Sequence, residues 1–429
     1  MSNFEFFVNN FDLLTYFLIL PAVSFIYLII FGRNSLGFLE PFSYYIFFSI
    51  MACSTGLFVV LNTDVSDAIK IQYIFTQILF LLGYYIFSYR KKISSGNLKI
   101  SSDSVDEVTV AIFAILLSFA IILLQLYVYF RSGLPILSHS RLNFSGGDIM
   151  TLLLLRIKAV FFFPLIFSLY IVIFQSRKKA LKRLSKIIIL CFVAFSILDG
   201  SKSALIIFLL IFGFYAYLSK LYGYVLPYKL LRKFGFLILF LSVLVALLIV
   251  YISGETTNIF MLIFSRFVMA GDVFYMAYPH DIYKQFLPVS EWYISIFSSP
   301  ASWFGLVNSS DVPSPLGFDL MSYHEGIDMS KGPNPRMNVF GLVYIGYYGS
   351  FFYAFIVGAI LAIQKEVLFS YLNKSMTTLV FYVGLLFCAI KIEPDFFNYL
   401  AALINLLPLA VVLYFCRVVA LIITTKRIA

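Results

Sequence analysis

VTVAIFAILLSFAIILLQLYVYF, residues 108–130, runs for 23 positions without one charged side chain, and its reading decides the fold. As a helix rising about 1.5 Å per residue it is roughly 35 Å long, enough to cross the ~30 Å hydrocarbon core of a bilayer. Working outward, comparable apolar runs fall at about 12–31, 42–61, 69–89, 151–174, 187–198, 204–219, 234–253, 339–363, 375–390 and 399–416. The short sixth run extends back past Lys186, whose ammonium can snorkel to the interface. Composition agrees, with 62% hydrophobic and only 12% charged residues in 429, where a soluble chain carries about 25% charge. The pattern predicts an all-α polytopic membrane protein of about eleven transmembrane helices. Residues 1–429 form a single integral membrane domain without a soluble module.

Net charge is +10, which raises nucleic acid as a partner, but the placement of the charge argues for topology. Alternate loops on one side collect twenty of the 31 Lys and Arg residues, including Arg90, Lys91, Lys92 and the run from Arg177 to Lys186. The other side holds nine, and Arg156 and Lys158 remain inside a span. The positive-inside rule then puts the C-terminus in the cytoplasm and, for an odd number of spans, the N-terminus outside. Part of the excess positive charge also meets the membrane lipids. No nucleic-acid motif competes with this reading. No Lys or Arg precedes Arg33, so the first span lacks the basic start of a secretory signal and is expected to be retained.

One connection breaks the pattern of short loops. Residues 254–338 form a large loop on the outer side with eight acids against four basic residues. The chemistry is therefore expected outside the cytoplasm. Within that loop, the stretch from 256 to 279 is apolar enough to dip into the membrane.

The richest stretch is Gly332-Pro-Asn-Pro-Arg336-Met-Asn338. Two prolines forbid helix there and set an extended approach to the next span. Asn338 suits an N-cap, and Arg336 adds a fork of donors shaped for phosphate beside a helix N-terminus. The stretch reads either as an anion site at the outer surface or as a capped helix start with a solvated arginine. Arg266, among apolar neighbours, needs an anion, water or a distant acid. Asp272, six positions on, lies on another helix face, which argues against a pair along one helix.

Arg156 and Lys158, two apart on a helix, face nearly opposite ways at a depth where charge is costly. Arg156 is preferred as the cavity-facing one. Arg141 closes an outer loop, turned by Gly133 and Pro135, that either helps bind an anion or is simply solvated. Asp199-Gly-Ser-Lys202-Ser lacks the first glycine of a P-loop and the strand before it, which excludes nucleotide binding.

Three histidines, His139, His280 and His324, match no metal spacing, and the four cysteines read as small buried hydrophobes. His324 and Glu325 are the best-placed pair to include a general base, unless they sit on a solvated loop. Trp292, Tyr293, Trp303 and Phe304 either stack on sugar faces or anchor the loop at the interface. No Gly- or Pro-broken spans recur in matching halves, which lowers the case for an inverted-repeat transporter.

Gly332-Pro-Asn-Pro-Arg336-Met-Asn338-Val-Phe-Gly341, followed by Gly346 and Gly349 in a span, resembles the signature region of bacterial O-antigen polymerases of the Wzy type. Gly200-Ser-Lys202-Ser is similar to that family's small-residue turn between adjacent spans. The resemblance implies a fold akin to glycosyltransferase class C. It also implies a glycosyltransferase acting without metal or cofactor at the periplasmic face of the bacterial inner membrane. Such an enzyme moves a growing glycan from undecaprenyl pyrophosphate onto a lipid-linked repeat unit, in some systems with a chain-length regulator protein.

By that resemblance Arg336 binds pyrophosphate and Arg266 matches the arginine at the start of the large loop. Lys202 stands where an arginine is usual and lacks its fork. Arg141, Arg156 and Asn338 complete the binding set, and Glu325, His324 and Asp272, in that order, are the candidate bases. Transfer from a diphosphate needs its leaving charge stabilised, which arginines in a dry site can supply. An O-antigen ligase and a polysaccharide flippase or other transporter are the competing expectations.

Overall fold

The structure is a computed structural model that describes residues 6–32, 35–88, 104–137, 149–200, 204–252, 259–287, 296–298, 301, 305–308, 311–327 and 331–425. Among these residues there is no strand. The first eight long helices are α1 (Leu13–Phe31), α2 (Pro41–Asn62), α3 (Asp67–Phe87), α4 (Ser104–Ser132), α5 (Ile149–Gln175), α6 (Lys179–Leu198), α7 (Ala204–Leu221) and α8 (Val225–Ile252). Short helices α9 (Ile259–Val268), α10 (Asp272–Ala277) and α11 (Leu316–Glu325) follow. Last come α12 (Arg336–Tyr344), α13 (Tyr347–Ala362), a π-helical turn (Ile363–Val367), α14 (Leu368–Leu372), α15 (Met376–Ala389) and α16 (Phe396–Thr425).

Each predicted apolar run meets helix. Among the described residues, seven segments are long and apolar enough to cross a membrane, namely α1 to α4, Leu153–Gln175 within α5, Tyr347–Leu372 and α16. This is a multi-pass membrane architecture. α7 and α15 are apolar but shorter, and α6 does extend back past Lys186. Caps explain several boundaries. The Asp12 carboxylate accepts from the Leu14 and Thr15 amides at 3.2 and 3.0 Å and starts α1. Asp106 of α4 reaches across to accept from the Met376 amide at 2.8 Å and from Thr377 Oγ1 at 2.6 Å, capping α15 from outside.

Two sequence expectations need correction around residue 338. The run 339–363 is not one helix, because it divides at Gly346, whose φ of 85° is open to glycine but strained for other residues. Nor is Asn338 an N-cap. Pro335 holds that position and α12 begins at Arg336, so Asn338 lies inside the first turn.

Side chains pack around two main apolar cores. One joins α1, α2 and α3 to the segments between Val268 and Ala362. The other joins α4 to α7 with α14, α15 and α16. Lipid tails are as apolar as leucine, so contact between helices relies on close packing and hydrogen bonds rather than on escape from water. α3 and α13 show this directly. A Cβ at Gly83 would strike the Phe355 carbonyl and one at Gly358 the Phe80 carbonyl, so the two backbones touch through their glycines.

The predicted outer loop is not all peripheral. Val268 and the stretch from Val273 to Tyr278 are buried in the first core, and Thr55 Oγ1 of α2 donates to the Val268 carbonyl at 3.0 Å. This packing sets the floor of the candidate site.

Candidate functional site

Arg336 is where the first core becomes polar. The expected extended approach does not reach the helix, because Pro335 is already helical at φ −67° and ψ −8°, and the chain then puts Arg336 at φ 47°, a left-handed conformation that costs a non-glycine residue on the order of 1–3 kcal/mol. What holds it there is the turn between α15 and α16. The Arg336 amide donates to the Pro394 carbonyl and the Met337 amide to the Glu393 carbonyl, each at 2.9 Å. These are the free N–H groups of a helix start, and here the chain's own carbonyls take two of them.

The side chain continues the same contact. Arg336 Nη1 donates to both Glu393 carboxylate oxygens, at 2.9 and 2.6 Å, and Nε and Nη2 donate to the Ala270 carbonyl at 3.2 and 2.9 Å. Ser49 Oγ of α2 donates to Glu393 Oε2 at 3.1 Å. Arg336 and Glu393 are each 4% exposed. The arginine is therefore not solvated: its Nε/Nη2 edge is taken by the Ala270 carbonyl and its Nη1 by the Glu393 carboxylate.

Asp272 opens α10 two residues beyond Ala270, and Arg336 and Arg266 are its positive neighbours. Burial pushes its carboxyl up to about 7, against the downward pull of the Val273 amide and of Arg336. An acid poised near neutrality is suited to exchanging a proton during turnover. It stands in no salt bridge with Arg266, which lies on a separate helix, α9, across the Met269–Gly271 turn.

Behind α12 a hydrogen-bonded layer fixes the floor. The fully buried Asn338 donates through Nδ2 to Thr76 Oγ1 at 2.7 Å and accepts at Oδ1 from Gln77 Nε2 at 3.2 Å. Gln72 Nε2 donates to the Asn338 carbonyl at 3.1 Å and to Ser350 Oγ at 3.0 Å, and Tyr278 OH donates to Gln72 Oε1 at 3.3 Å. Asn338 is thus a positioning residue that ties α12 to α3.

The other sequence candidates lie outside the Arg336–Glu393 contact. Arg266 is exposed on the last turn of α9. A ring nitrogen of His324 sits 2.9 Å from the Met276 carbonyl, which brings His324 to α10 but not into the Arg336 cluster. Glu325 is exposed at the end of α11. Arg156 is exposed on α5, whereas Lys158, the residue not favoured from sequence, turns inward. Its ammonium is 2.8 Å from Asp199 Oδ2, and Tyr129 OH donates to Asp199 Oδ1 at 2.6 Å. Arg141, Lys202, His139, Trp292, Tyr293, Trp303 and Phe304 lie outside the described residues. Among the described residues no group of three or more His, Cys, Asp or Glu side chains stands together as a metal set.

Glu393 and the Ala270 carbonyl are the site partners that sequence reading missed. Glu393 had a signal, since Lys391-Ile-Glu393-Pro394-Asp395 puts acids in a very short turn between two apolar runs. Ala270 had none, because a backbone carbonyl carries no sequence mark.

Fold and site together define a polytopic α-helical membrane protein with a buried Arg–Glu pair and a near-neutral aspartate beside it. Compared with known protein families, curated proteins and solved structures, the chain matches none.

Proposed function

We propose that this chain is an O-antigen or polysaccharide polymerase. It transfers a growing glycan from undecaprenyl pyrophosphate onto a lipid-linked repeat unit at the periplasmic face of the inner membrane. The observation that carries the reading is the buried guanidinium of Arg336 acting electrostatically on Asp272, an acid whose carboxyl sits at about 7. The resemblance of residues 332–341 to the Wzy signature region supports it. The charge bias between loops supports the orientation, with residues 254–338 outside and the C-terminus in the cytoplasm.

In this reaction an acceptor hydroxyl oxygen attacks the anomeric carbon of the donor glycan. The bond from that carbon to the pyrophosphate oxygen breaks, and its electron pair leaves with the diphosphate. The hydroxyl proton passes to the Asp272 carboxylate. Arg336 stabilises the leaving diphosphate by exchanging Glu393 for it, one anion for another, so that a loaded site keeps the guanidinium paired.

The test is the purified chain in lipid nanodiscs with a polyprenyl-pyrophosphate-linked repeat unit and no nucleotide. A ladder of longer glycans is expected, lost in Arg336→Ala protein that is still folded. Full activity in that variant removes Arg336 from the mechanism. A single capped product on another lipid acceptor marks a ligase instead. Transbilayer movement of the lipid without any ladder marks a flippase, a reading favoured by the charges buried at Glu40, Asp106 and Lys365.

A further inference from the structure

At the end of α13 opposite Gly346, the chain sets a buried acid and a partly buried one against one buried base. Glu40, before the first turn of α2, is fully buried and Lys365, on the π-helical turn, is 4% exposed. The Lys365 ammonium lies 3.8 Å from Glu366 Oε1 and 5.0 Å from the centre of the Phe42 ring. Lys365 acts electrostatically on both Glu40 and Glu366, and the two acids act on each other. The Leu36 amide donates to Glu40 Oε1 at 2.8 Å. Glu40 Oε2 and Glu366 Oε1 are both buried and receive no hydrogen bond among the described residues.

Among the described residues, the groups facing the cluster from neighbouring elements are Tyr84 of α3, a hydrogen-bond partner of Glu366, Tyr217 of α7, and Tyr382 of α15, whose hydroxyl donates to the Lys365 carbonyl at 2.7 Å. Among the described residues none of these brings a positive charge. Two ionised carboxylates against one ammonium leave a net negative charge in a dry setting, with an unsatisfied oxygen on each acid. Both features are costly, and like-charged acids in one site relieve the cost by sharing a proton.

We propose that Glu40, Lys365 and Glu366 form a proton-binding site whose carboxylates carry one proton at neutral pH. The proton neutralises the excess charge and gives one of the unsatisfied oxygens a donor. A π-helical turn inside an apolar helix often marks a functional position, and here it presents Lys365 and Glu366 together. The site is separate from the Arg336 cluster and does not rest on the polymerase reading.

Infrared spectra of the full chain in nanodiscs, recorded against pH with isotope-labelled glutamate so that Asp272 does not contribute, test the proposal. The expected result is a protonated-carboxyl stretch that persists at neutral pH, shifts with the glutamate label and vanishes in both Glu40→Gln and Glu366→Gln. Either amide leaves the remaining acid ionised against Lys365, so each variant melts at or above the parent temperature at neutral pH. Absence of the glutamate band in the parent overturns the proposal, and that measurement needs no variant to fold. A band that survives both substitutions overturns it too. So does a sodium-dependent rise in melting temperature that Glu40→Gln abolishes, because an alkali ion then occupies the proton's place.

Discussion

Arg336 directs its guanidinium to oxygens of its own chain, and the energetics of that choice separate structure from function. Removing one partner of a buried ion pair strands the other charge, at about 3–5 kcal/mol, whereas replacing both by apolar residues of similar volume is often neutral. Arg336→Met and Glu393→Leu are each expected to lower the melting temperature in detergent markedly, and the double variant to recover most of the loss while still making no glycan ladder. A double variant as unstable as the sum of the singles sinks the pairing argument.

Asp272 makes the second residue-scale prediction. Its folded pKa of about 7 lies above the ordinary carboxylate value of 3.8, so between those values the native state binds more protons than the unfolded one. Stability contributed by Asp272 is complete at low pH and is lost as pH rises through about 7. Activity runs the other way, since only the carboxylate accepts a proton, and turnover is expected to climb with pH to a half-point near 7. Asp272→Asn should abolish turnover and flatten that part of the stability profile. Unchanged turnover across pH in the asparagine variant would remove Asp272 as the base.

At the scale of elements, helices were legible where composition alone makes them. The runs at 42–61 and 108–130 became α2 and α4 because uncharged stretches of that length have no other stable form in a bilayer. The division at Gly346 was not legible, because Gly346 is one of several glycines near α13 and only its φ of 85° distinguishes it. The site was half legible. Pro333, Pro335 and Arg336 announced a special turn, but the partner Glu393 lies 57 positions away, and nothing local joins the two. Spacing could not choose between Arg156 and Lys158 for a similar reason, since the decision rests with Asp199 on another helix. Asp106 extends this lesson to caps. It supplies from α4 the acceptor that α15 needs, so Asp106→Ala should cost about 1–3 kcal/mol, the penalty for orphaned buried donors, read as a fall in melting temperature. Asp106→Asn, which keeps an acceptor oxygen, should recover part of it. Equal losses in the two variants would show that charge rather than the cap matters.

For the molecule as a whole, orientation depends on whether residues 259–286 cross the bilayer or enter and return. α9 spans ten residues, about 15 Å at 1.5 Å per residue, only half of a ~30 Å hydrocarbon core. Met269–Gly271 then tightens into a 3₁₀ turn, and α10 adds six residues that are packed against α2 and α3. Arg266 and Asp272 on this path make a full crossing costlier still, and the left-handed pair His280 and Asp281 turns the chain again beyond it. If that segment enters and returns, and α6, α7 and α8 each cross as the sequence pattern expects, the exposed residues Arg183 and Lys331 are expected on opposite sides. In a background with Cys53, Cys191, Cys388 and Cys416 replaced, Lys331→Cys should react with an impermeant maleimide in cells whose outer membrane alone is opened. Arg183→Cys should react only after the inner membrane is breached. Labelling of both from the same side would add a crossing at 259–286, and with it move Arg336 and Asp272 to the cytoplasmic face, where a periplasmic polymerase has no use for them.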